Sequence, residues 1–154
     1  MPTTLREELQ QNKPFTSLQE EAMLNIVRTS AVLMDRVEQM LRPYGITATQ
    51  YNVLRILRGS EPDGLCRNDL RDRMLTRMPD VTRLLDRMEE AGLVERERGS
   101  EDRRLVTTRI TKKAAELLST LDGMVVTLQQ QPFAGVSDEQ IQSMIDVLTT
   151  IRNS

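Results

Sequence analysis

The sequence predicts a mainly α-helical fold with one small β-hairpin, and three observations support this prediction. Apolar residues recur at three- and four-residue spacing over most of the chain, which is typical of helices with one buried face. A Gly-Ser pair is followed by the β-favouring segment 105–111, which predicts a hairpin within residues 93–111. With 154 residues, 38% of them hydrophobic and 29% charged, the composition is that of one globular domain without repeats.

The first long helix begins after a segment with few structural signals. Residues 1–16 contain Pro2, Pro14 and mixed polar side chains, and we expect a loosely ordered arm there. From Ser17 an apolar stripe at helical spacing continues for about six turns. It ends at the sequence RPYG, residues 42–45, because proline and glycine stop a helix.

Short elements are predicted next. Thr47 and Gln50 have the spacing of a capping box, which satisfies free backbone amides at a helix start. We expect this helix to end at the sequence GSEPDG, residues 59–64. A short extended segment at residues 65–66 and a brief helix over residues 68–74 follow.

The following helix has the most regular amphipathic pattern in the chain. Pro79 is expected at its first helical position, and Gly92 closes it. Apolar side chains recur at i, i+3, i+4 and i+7 from Val81 to Met88. The opposite face is charged and carries Arg77, Asp80, Arg83 and Arg87. Together with the preceding brief helix, this predicts a helix-turn-helix with a hairpin appended.

Two more helices follow the hairpin strands of residues 93–111. Thr111 is placed to cap the first of them, which the sequence QPFAGV, residues 131–136, interrupts. Ser137 and Gln140 form a second capping box that opens the last helix. The helices at both ends of the chain have an apolar side with no other domain to cover it, so we expect a homodimer.

Composition argues against several classes of protein. The chain has no histidine, which removes the commonest zinc ligand and the base of a His-dependent triad. It has no nucleophile elbow, phosphate loop or dinucleotide motif, so we predict no catalytic residues, metal site or cofactor. The single Cys66 excludes an intrachain disulfide. Without a signal peptide or membrane-spanning run, we expect a cytoplasmic protein with no membrane partner.

Charge is distributed unevenly along the chain. The formal net charge is −2, but residues 67–113 contain 13 Lys and Arg against 10 Asp and Glu. A locally basic middle in an acidic protein indicates a polyanionic partner confined to one face.

Three segments of this sequence belong together by their order and spacing. They are GITATQYNVLRIL at residues 45–57, DVTRLLDRMEEAGLVER at residues 80–96, and DRRLVTTRIT at residues 102–111. In combination they resemble the MarR family of bacterial transcriptional regulators, over about residues 18–152. The resemblance implies a winged helix-turn-helix lobe, residues 46–111, and a helical dimerisation lobe formed by residues 17–45 and 112–152.

The same resemblance implies a function. We expect a repressor that binds palindromic double-stranded DNA as a homodimer and is released by a small-molecule effector. The family also implies a ligand pocket between the dimerisation helices and the DNA-binding lobe. The residues expected to line it are Met34, Met40, Tyr44, Tyr51 and Leu54.

The recognition helix and the wing supply the expected DNA contacts. Side chains near a helix N-terminus reach base edges in the major groove, which applies to Arg77, Asp80, Thr82 and Arg83. Arg87, one turn further along, is better placed for a phosphate or for an internal pair with an acidic residue of the wing. At the hairpin turn, Arg103 and Arg104 project towards a minor groove, and the spacing after Asp102 favours Arg104.

Other wing residues and competing interpretations complete the predictions. We expect Asp102 to orient an arginine through a charge-assisted hydrogen bond, and Arg96 and Arg98 to contact phosphates. The charged helix face could instead be solvated, with ion pairs between Arg83 and Asp86 or between Arg87 and Glu90. A winged-helix protein-interaction module without DNA binding is a second alternative. A third is redox sensing through Cys66, for which we expect an inert thiol.

Overall fold

The computed structural model describes residues 3–154, and within this range the chain is mainly helical with a small antiparallel sheet. Residues 1 and 2 of the predicted arm lie outside the described residues. Apart from α1, which was not predicted, the elements follow the predicted order. They are α1 (Leu5–Glu8), α2 (Leu18–Leu41), α3 (Ala48–Arg58), β1 (Leu65–Cys66), α4 (Arg67–Arg73), α5 (Val81–Glu90), β2 (Val94–Arg98), β3 (Val106–Ile110), α6 (Lys112–Gln130) and α7 (Asp138–Arg152).

The chain divides into two compact units. The first ends at Ala48, and the second comprises Thr49–Ser154. The assignment of residues 17–45 and 112–152 to one dimerisation lobe, and of residues 46–111 to another lobe, stays a prediction.

The prediction of a loosely ordered arm is wrong for the short helix α1. The Thr4 hydroxyl accepts from the Glu7 backbone N–H, and the Glu7 carboxylate accepts from the Thr4 backbone N–H, which completes a capping box. Leu5 is buried, and Glu8 forms an ion pair with Arg28 of α2 at 3.2 Å. A four-residue helix is too short to produce the apolar periodicity from which the longer helices were predicted.

The long helix α2 begins and ends as predicted. The Ser17 side chain accepts from the Glu20 backbone N–H, and Gly45 adopts a φ of +71° after the last turn. Within the first unit, Glu38 of α2 accepts the backbone N–H of Ala48 at 2.9 Å, at the start of α3. Several large apolar residues of α2 are exposed in the single chain, namely Leu18, Met23, Ile26, Val27, Val32 and Met34.

The second unit has a core of aliphatic side chains. Helices α3, α4, α5 and α6 and the sheet contribute fully buried residues, including Val53, Leu54, Leu57, Leu70, Leu85, Met88, Leu118 and Leu121. Each such side chain contributes about 1.5–3 kcal/mol relative to exposure in water. The predicted caps at Thr111 and Ser137 are both present, each accepting from the backbone N–H three residues later.

Helix α3 is tied to α6 by one ion pair at the surface of this core. The Arg58 guanidinium donates to both carboxylate oxygens of Asp122, at 3.0 and 2.9 Å. These hydrogen bonds from Arg58 hold the pKa of Asp122 below its ordinary value. The guanidinium fork fixes the two helices in orientation as well as separation.

The sheet gains a third strand beside the predicted hairpin. The strand order is β1-β3-β2, and both pairs are antiparallel. Leu65 pairs with Thr108 and Cys66 with Thr107, while β2 and β3 run in register from Val94 opposite Ile110. The short extended segment of the sequence prediction thus closes one edge of the wing.

The approach of β1 to β3 requires glycine at position 64. Gly64 has a φ of +72°, and a Cβ atom there would lie 2.6 Å from the Thr108 carbonyl oxygen. Gly135 also has a positive φ, +86°, but a Cβ atom there would have no neighbour within 4 Å. A side chain at Gly135 would therefore strain only the backbone, whereas a side chain at Gly64 would strain the backbone and also collide with β3.

We expect Gly64→Ala to lower the free energy of unfolding by about 3 kcal/mol or more, because left-handed strain of about 1–2 kcal/mol is added to a backbone collision. Gly135→Ala, in the same unit, is expected to cost only about 1–2 kcal/mol. Urea unfolding of both variants measures the difference. Equal losses would contradict the close approach of β1 and β3.

Candidate nucleic-acid interface

Helix α5 begins two residues later than the prediction that Pro79 is its first helical residue. The Asp80 carboxylate accepts the Arg83 backbone N–H at 2.9 Å, and the first helical residue is Val81. Pro79 therefore precedes the cap, and the prediction that it occupies the first helical position is wrong. Aspartate is among the strongest N-caps, so it determines where the helix starts. Asp80 was predicted to contact a base, and one of its carboxylate oxygens accepts this local hydrogen bond.

The two faces of α5 differ as the sequence predicts. Val81, Leu85 and Met88 are buried, whereas the arginines of the opposite face are exposed. In the part of the chain that the structure describes, Arg77, Arg83 and Arg87 form no ion pair with a carboxylate. The alternative pairs Arg83–Asp86 and Arg87–Glu90 are therefore not formed, and three guanidinium groups face solvent.

Contacts between α4 and α5 include one that the sequence did not predict. Arg67, the first residue of α4, donates to the Thr82 hydroxyl at 3.0 Å. Asn52 of α3 accepts the backbone N–H of Leu75 at 3.0 Å, which holds the turn between the helices. No spacing rule connects residues fifteen apart, so only the fold brings Arg67 to the predicted base-contacting Thr82.

The wing tip is organised by Asp102, in a different way from the prediction. Its carboxylate accepts the backbone N–H of Arg104 at 2.9 Å, so it orients the main chain and not a guanidinium group. An aspartate two residues before an amide forms this local turn readily, which is why the backbone bond is preferred. The Gly99 N–H donates to the Leu105 carbonyl at 2.8 Å and completes the turn.

Three wing arginines remain exposed at or near this tip. Arg98 ends β2, and Arg103 and Arg104 follow Asp102 in the turn. Among residues 3–154 none of the three is paired with a carboxylate. They extend the positive surface of α5 along the hairpin.

Arg96 forms contacts within the protein that the sequence did not predict. Its side chain is only 24% exposed, and its Nη2 atom lies 2.7 Å from an Asp86 carboxylate oxygen. Its Nε atom donates to Glu89, one turn further along α5. Partial burial opposes the charge, but the hydrogen bonds to Glu89 and Asp86 outweigh it and raise the pKa of Arg96. Two carboxylates thus hold this guanidinium, and the phosphate contact of Arg96 stays a prediction.

A cavity of about 290 Å³ lies between the sheet, α4 and α5. Its lining includes Cys66, Arg67, Thr82, Arg96, Arg104 and Leu105. Arg96 in this lining is held by Asp86 and Glu89, whereas Arg67 and Arg104 have no carboxylate partner within residues 3–154. Arginine binds a carboxylate through paired hydrogen bonds, so these two residues suit a small carboxylate. Cys66 is a free thiol with intermediate exposure in this lining, and its reactivity stays a prediction.

The five residues predicted to line a ligand pocket differ in exposure. Leu54 has no exposed surface and Tyr51 is 8% exposed, so both belong to the core of the second unit. Met40 and Tyr44 are partly exposed and Met34 is exposed. The arginine-lined cavity does not include them, and their role in binding a ligand stays a prediction.

Two kinds of feature are absent from residues 3–154. No group of three or more cysteine or acidic side chains has an arrangement that could hold a metal ion. No helix in the described chain combines the length and the apolar character needed to cross a membrane.

Known proteins resemble this chain in sequence and in fold. The family model of the MarR family matches residues 44–105. A MarR transcription factor from Planctomyces limnophilus is 31% identical, with a TM-score of 0.67 over 89% of this chain and 99% of that protein. MepR from S. aureus, solved in complex with DNA, is 24% identical, with a TM-score of 0.77 over 91% and 98% of the two chains.

A third solved structure is BpsR from Bordetella bronchiseptica, whose DNA binding is regulated by 6-hydroxynicotinic acid. It is 18% identical to this chain, with a TM-score of 0.77 over 92% of this chain and 99% of BpsR. At this identity the likeness concerns the fold alone.

The cap of α5 gives a direct test of the local structure. Asp80→Ala is expected to lower the free energy of unfolding by about 1 kcal/mol, because the Arg83 amide loses its acceptor. Asp80→Asn keeps an oxygen acceptor and should cost no more than a few tenths of a kcal/mol. Urea unfolding without DNA measures both, and a loss from Asn as large as that from Ala would contradict the capping role.

Proposed function

The chain belongs to the MarR family of DNA-binding transcription regulators, and from this premise we propose that it is a repressor acting as a homodimer on a palindromic operator. We further propose that a small-molecule effector releases it from DNA, and that it acts in the cytoplasm. The observation that carries the proposal is the group of exposed arginines on α5 and the wing tip that have no carboxylate partner within residues 3–154.

The two arginine groups are assigned to different grooves. Arg83 lies one turn inside the N-terminus of α5, where an arginine can donate to guanine O6 and N7 in the major groove. Arg104 lies at the projecting tip of the wing, and a narrow minor groove attracts arginine by its strong negative potential. Arg87 and Arg98, next to these positions, are assigned to phosphates.

The homodimer is proposed from apolar surface in both units. Six large apolar residues of α2 are exposed, and α7 adds Met144, Ile145, Val147 and Ile151. Exposed apolar area on this scale favours association with a second copy. A twofold dimer reads half-sites about one helical turn, or 10 base pairs, apart. MepR, which was solved on DNA, provides a precedent for this fold.

The effector is proposed to be a small carboxylic acid bound in the arginine-lined cavity. BpsR is regulated by such an acid, and two arginines of the cavity lining, Arg67 and Arg104, have no carboxylate partner within residues 3–154 and are proposed to bind it. Because Arg104 is also the proposed minor-groove contact, a carboxylate that recruits it would compete with DNA.

Two alternative functions have distinct signatures. A protein-interaction module would bind neither operator nor random DNA at low salt. A redox regulator would lose operator affinity on peroxide treatment, and Cys66→Ser would abolish that loss. The unpaired arginines favour the DNA-binding proposal over the first alternative.

Substitution of the two arginines tests the groove assignments. The operator is selected from random duplexes by the wild-type protein. Arg83→Ala should weaken the free energy of binding to this operator by about 1–3 kcal/mol and reduce the preference for it over scrambled DNA. Arg104→Ala should weaken binding to both duplexes and lower the salt slope by about one. Fluorescence anisotropy at several salt concentrations measures these effects.

The control is Arg42→Ala, which removes an exposed positive charge from the first unit. It should leave both affinities nearly unchanged. An Arg83→Ala variant that lost operator and scrambled affinity equally would refute the base-reading assignment.

Release of labelled operator tests the effector site. We expect 6-hydroxynicotinate and benzoate to release the wild-type protein, because their carboxylates bind the cavity arginines, whereas benzamide at the same ionic strength should not. Arg67→Gln should require a several-fold higher carboxylate concentration while binding the operator normally. Equal release by benzamide, or an unchanged response of Arg67→Gln, would contradict this site.

A further inference from the structure

Arg96 connects the wing to the recognition helix through two separate nitrogens. It lies on β2 opposite Thr108, and it contacts Asp86 and Glu89 on α5. These carboxylates are three residues apart on a helix and therefore lie on one face. A planar guanidinium that bonds two acceptors through Nη2 and Nε is fixed in orientation as well as in distance.

This contact lies beyond the turn that joins α5 to the hairpin. Helix α5 ends at Glu90, and β2 starts at Val94, so only a short turn around Gly92 joins them. The wing tip lies beyond the far end of β2, after Arg98. A small rotation of the hairpin at the turn produces a larger displacement at Arg104. The Arg96 contact opposes this rotation because it is made beyond the turn.

The contact also controls which charges are free. Asp86 lies three residues after Arg83, a spacing at which opposite charges pair on a helix surface. In this structure Asp86 forms an ion pair with Arg96, with 2.7 Å between Nη2 of Arg96 and a carboxylate oxygen of Asp86. Arg83 has no carboxylate partner in the described chain. Without Arg96, Asp86 and Glu89 would present two uncompensated negative charges beside the arginines of α5.

We propose that Arg96 is a positioning residue of the DNA interface, which holds the wing tip at a fixed separation from α5 and leaves Arg83 free to meet DNA. The inference rests on the proposed function, and it assigns Arg96 no contact with DNA. Its consequence is energetic coupling: the contribution of the wing-tip arginine to binding depends on an arginine that touches only protein.

The test is a double-mutant cycle on the selected operator, measured by fluorescence anisotropy. In wild-type protein, Arg104→Ala should weaken binding about tenfold, as expected of one groove-contacting arginine. In an Arg96→Gln background the same substitution should weaken binding less than threefold, because the wing tip is no longer held in place. Urea unfolding of each variant accompanies the cycle.

Arg109→Gln is the matched control. Arg109 also lies in the hairpin and pairs with a carboxylate, Glu97 at 3.4 Å, but this pair joins the two strands and does not reach α5. In that background Arg104→Ala should retain its full effect. The double variant Asp86→Ala/Glu89→Ala removes both acceptors from the helix side and should reproduce the loss of coupling, even if Arg96→Gln folds poorly.

The outcomes separate this inference from its premise. If Arg104→Ala weakens binding tenfold in every background, Arg96 does not position the wing, and the inference is wrong while the proposed function stands. If Arg104→Ala has no effect in wild-type protein, the minor-groove assignment and the inference both fail. Loss of coupling in the Arg109→Gln control would also overturn the inference. It would show that any substitution that weakens the hairpin reduces the effect of Arg104→Ala, whether or not the contact with α5 is kept.

Discussion

The buried apolar face of α5 is the constraint on which the rest of the interface depends. Val81, Leu85 and Met88 are almost completely buried, and each contributes about 1.5–3 kcal/mol by leaving water. Rotation of the helix about its axis would expose them, so the opposite face keeps its orientation. Arg83 and Arg87 lie on that face because of the helical period and not because of any interaction of their own. Packing in the core therefore determines which charges are presented to a partner.

An acidic protein can present a basic surface if its carboxylates near that surface are engaged elsewhere. The net charge is −2, yet four acids near the exposed arginines in sequence have local functions. Asp80 caps α5, Asp102 shapes the wing turn, and Asp86 and Glu89 hold Arg96. Each carboxylate that bonds a backbone amide or Arg96 is one fewer competitor for a DNA-facing guanidinium. The arrangement of acids contributes to the interface as much as the number of arginines does.

Periodicity and capping residues predicted the helices well where these were long, as in α2, α6 and α7, because each repeats its apolar pattern over several turns. The same signals missed the four-residue helix α1, and Pro79 was given a position that the Asp80 cap excludes. Residue types on α5 and the wing indicated the basic surface. The contacts of Arg96 were not predictable from the sequence. They depend on the turn after α5 and on the register of β2, which together bring Arg96 next to Asp86 and Glu89. Nothing in the sequence distinguishes this arginine from Arg98.

The central claim is that this basic surface recognises a particular DNA sequence. Fluorescence anisotropy with DNA from immediately upstream of the protein's own gene, against a scrambled duplex at two salt concentrations, tests it most directly. The account predicts a preference of about a thousandfold for the upstream DNA, since specific sites are bound at least that much more tightly than random ones. Equal affinity for both duplexes, falling steeply as salt rises, would contradict it by indicating only counterion release from a basic surface.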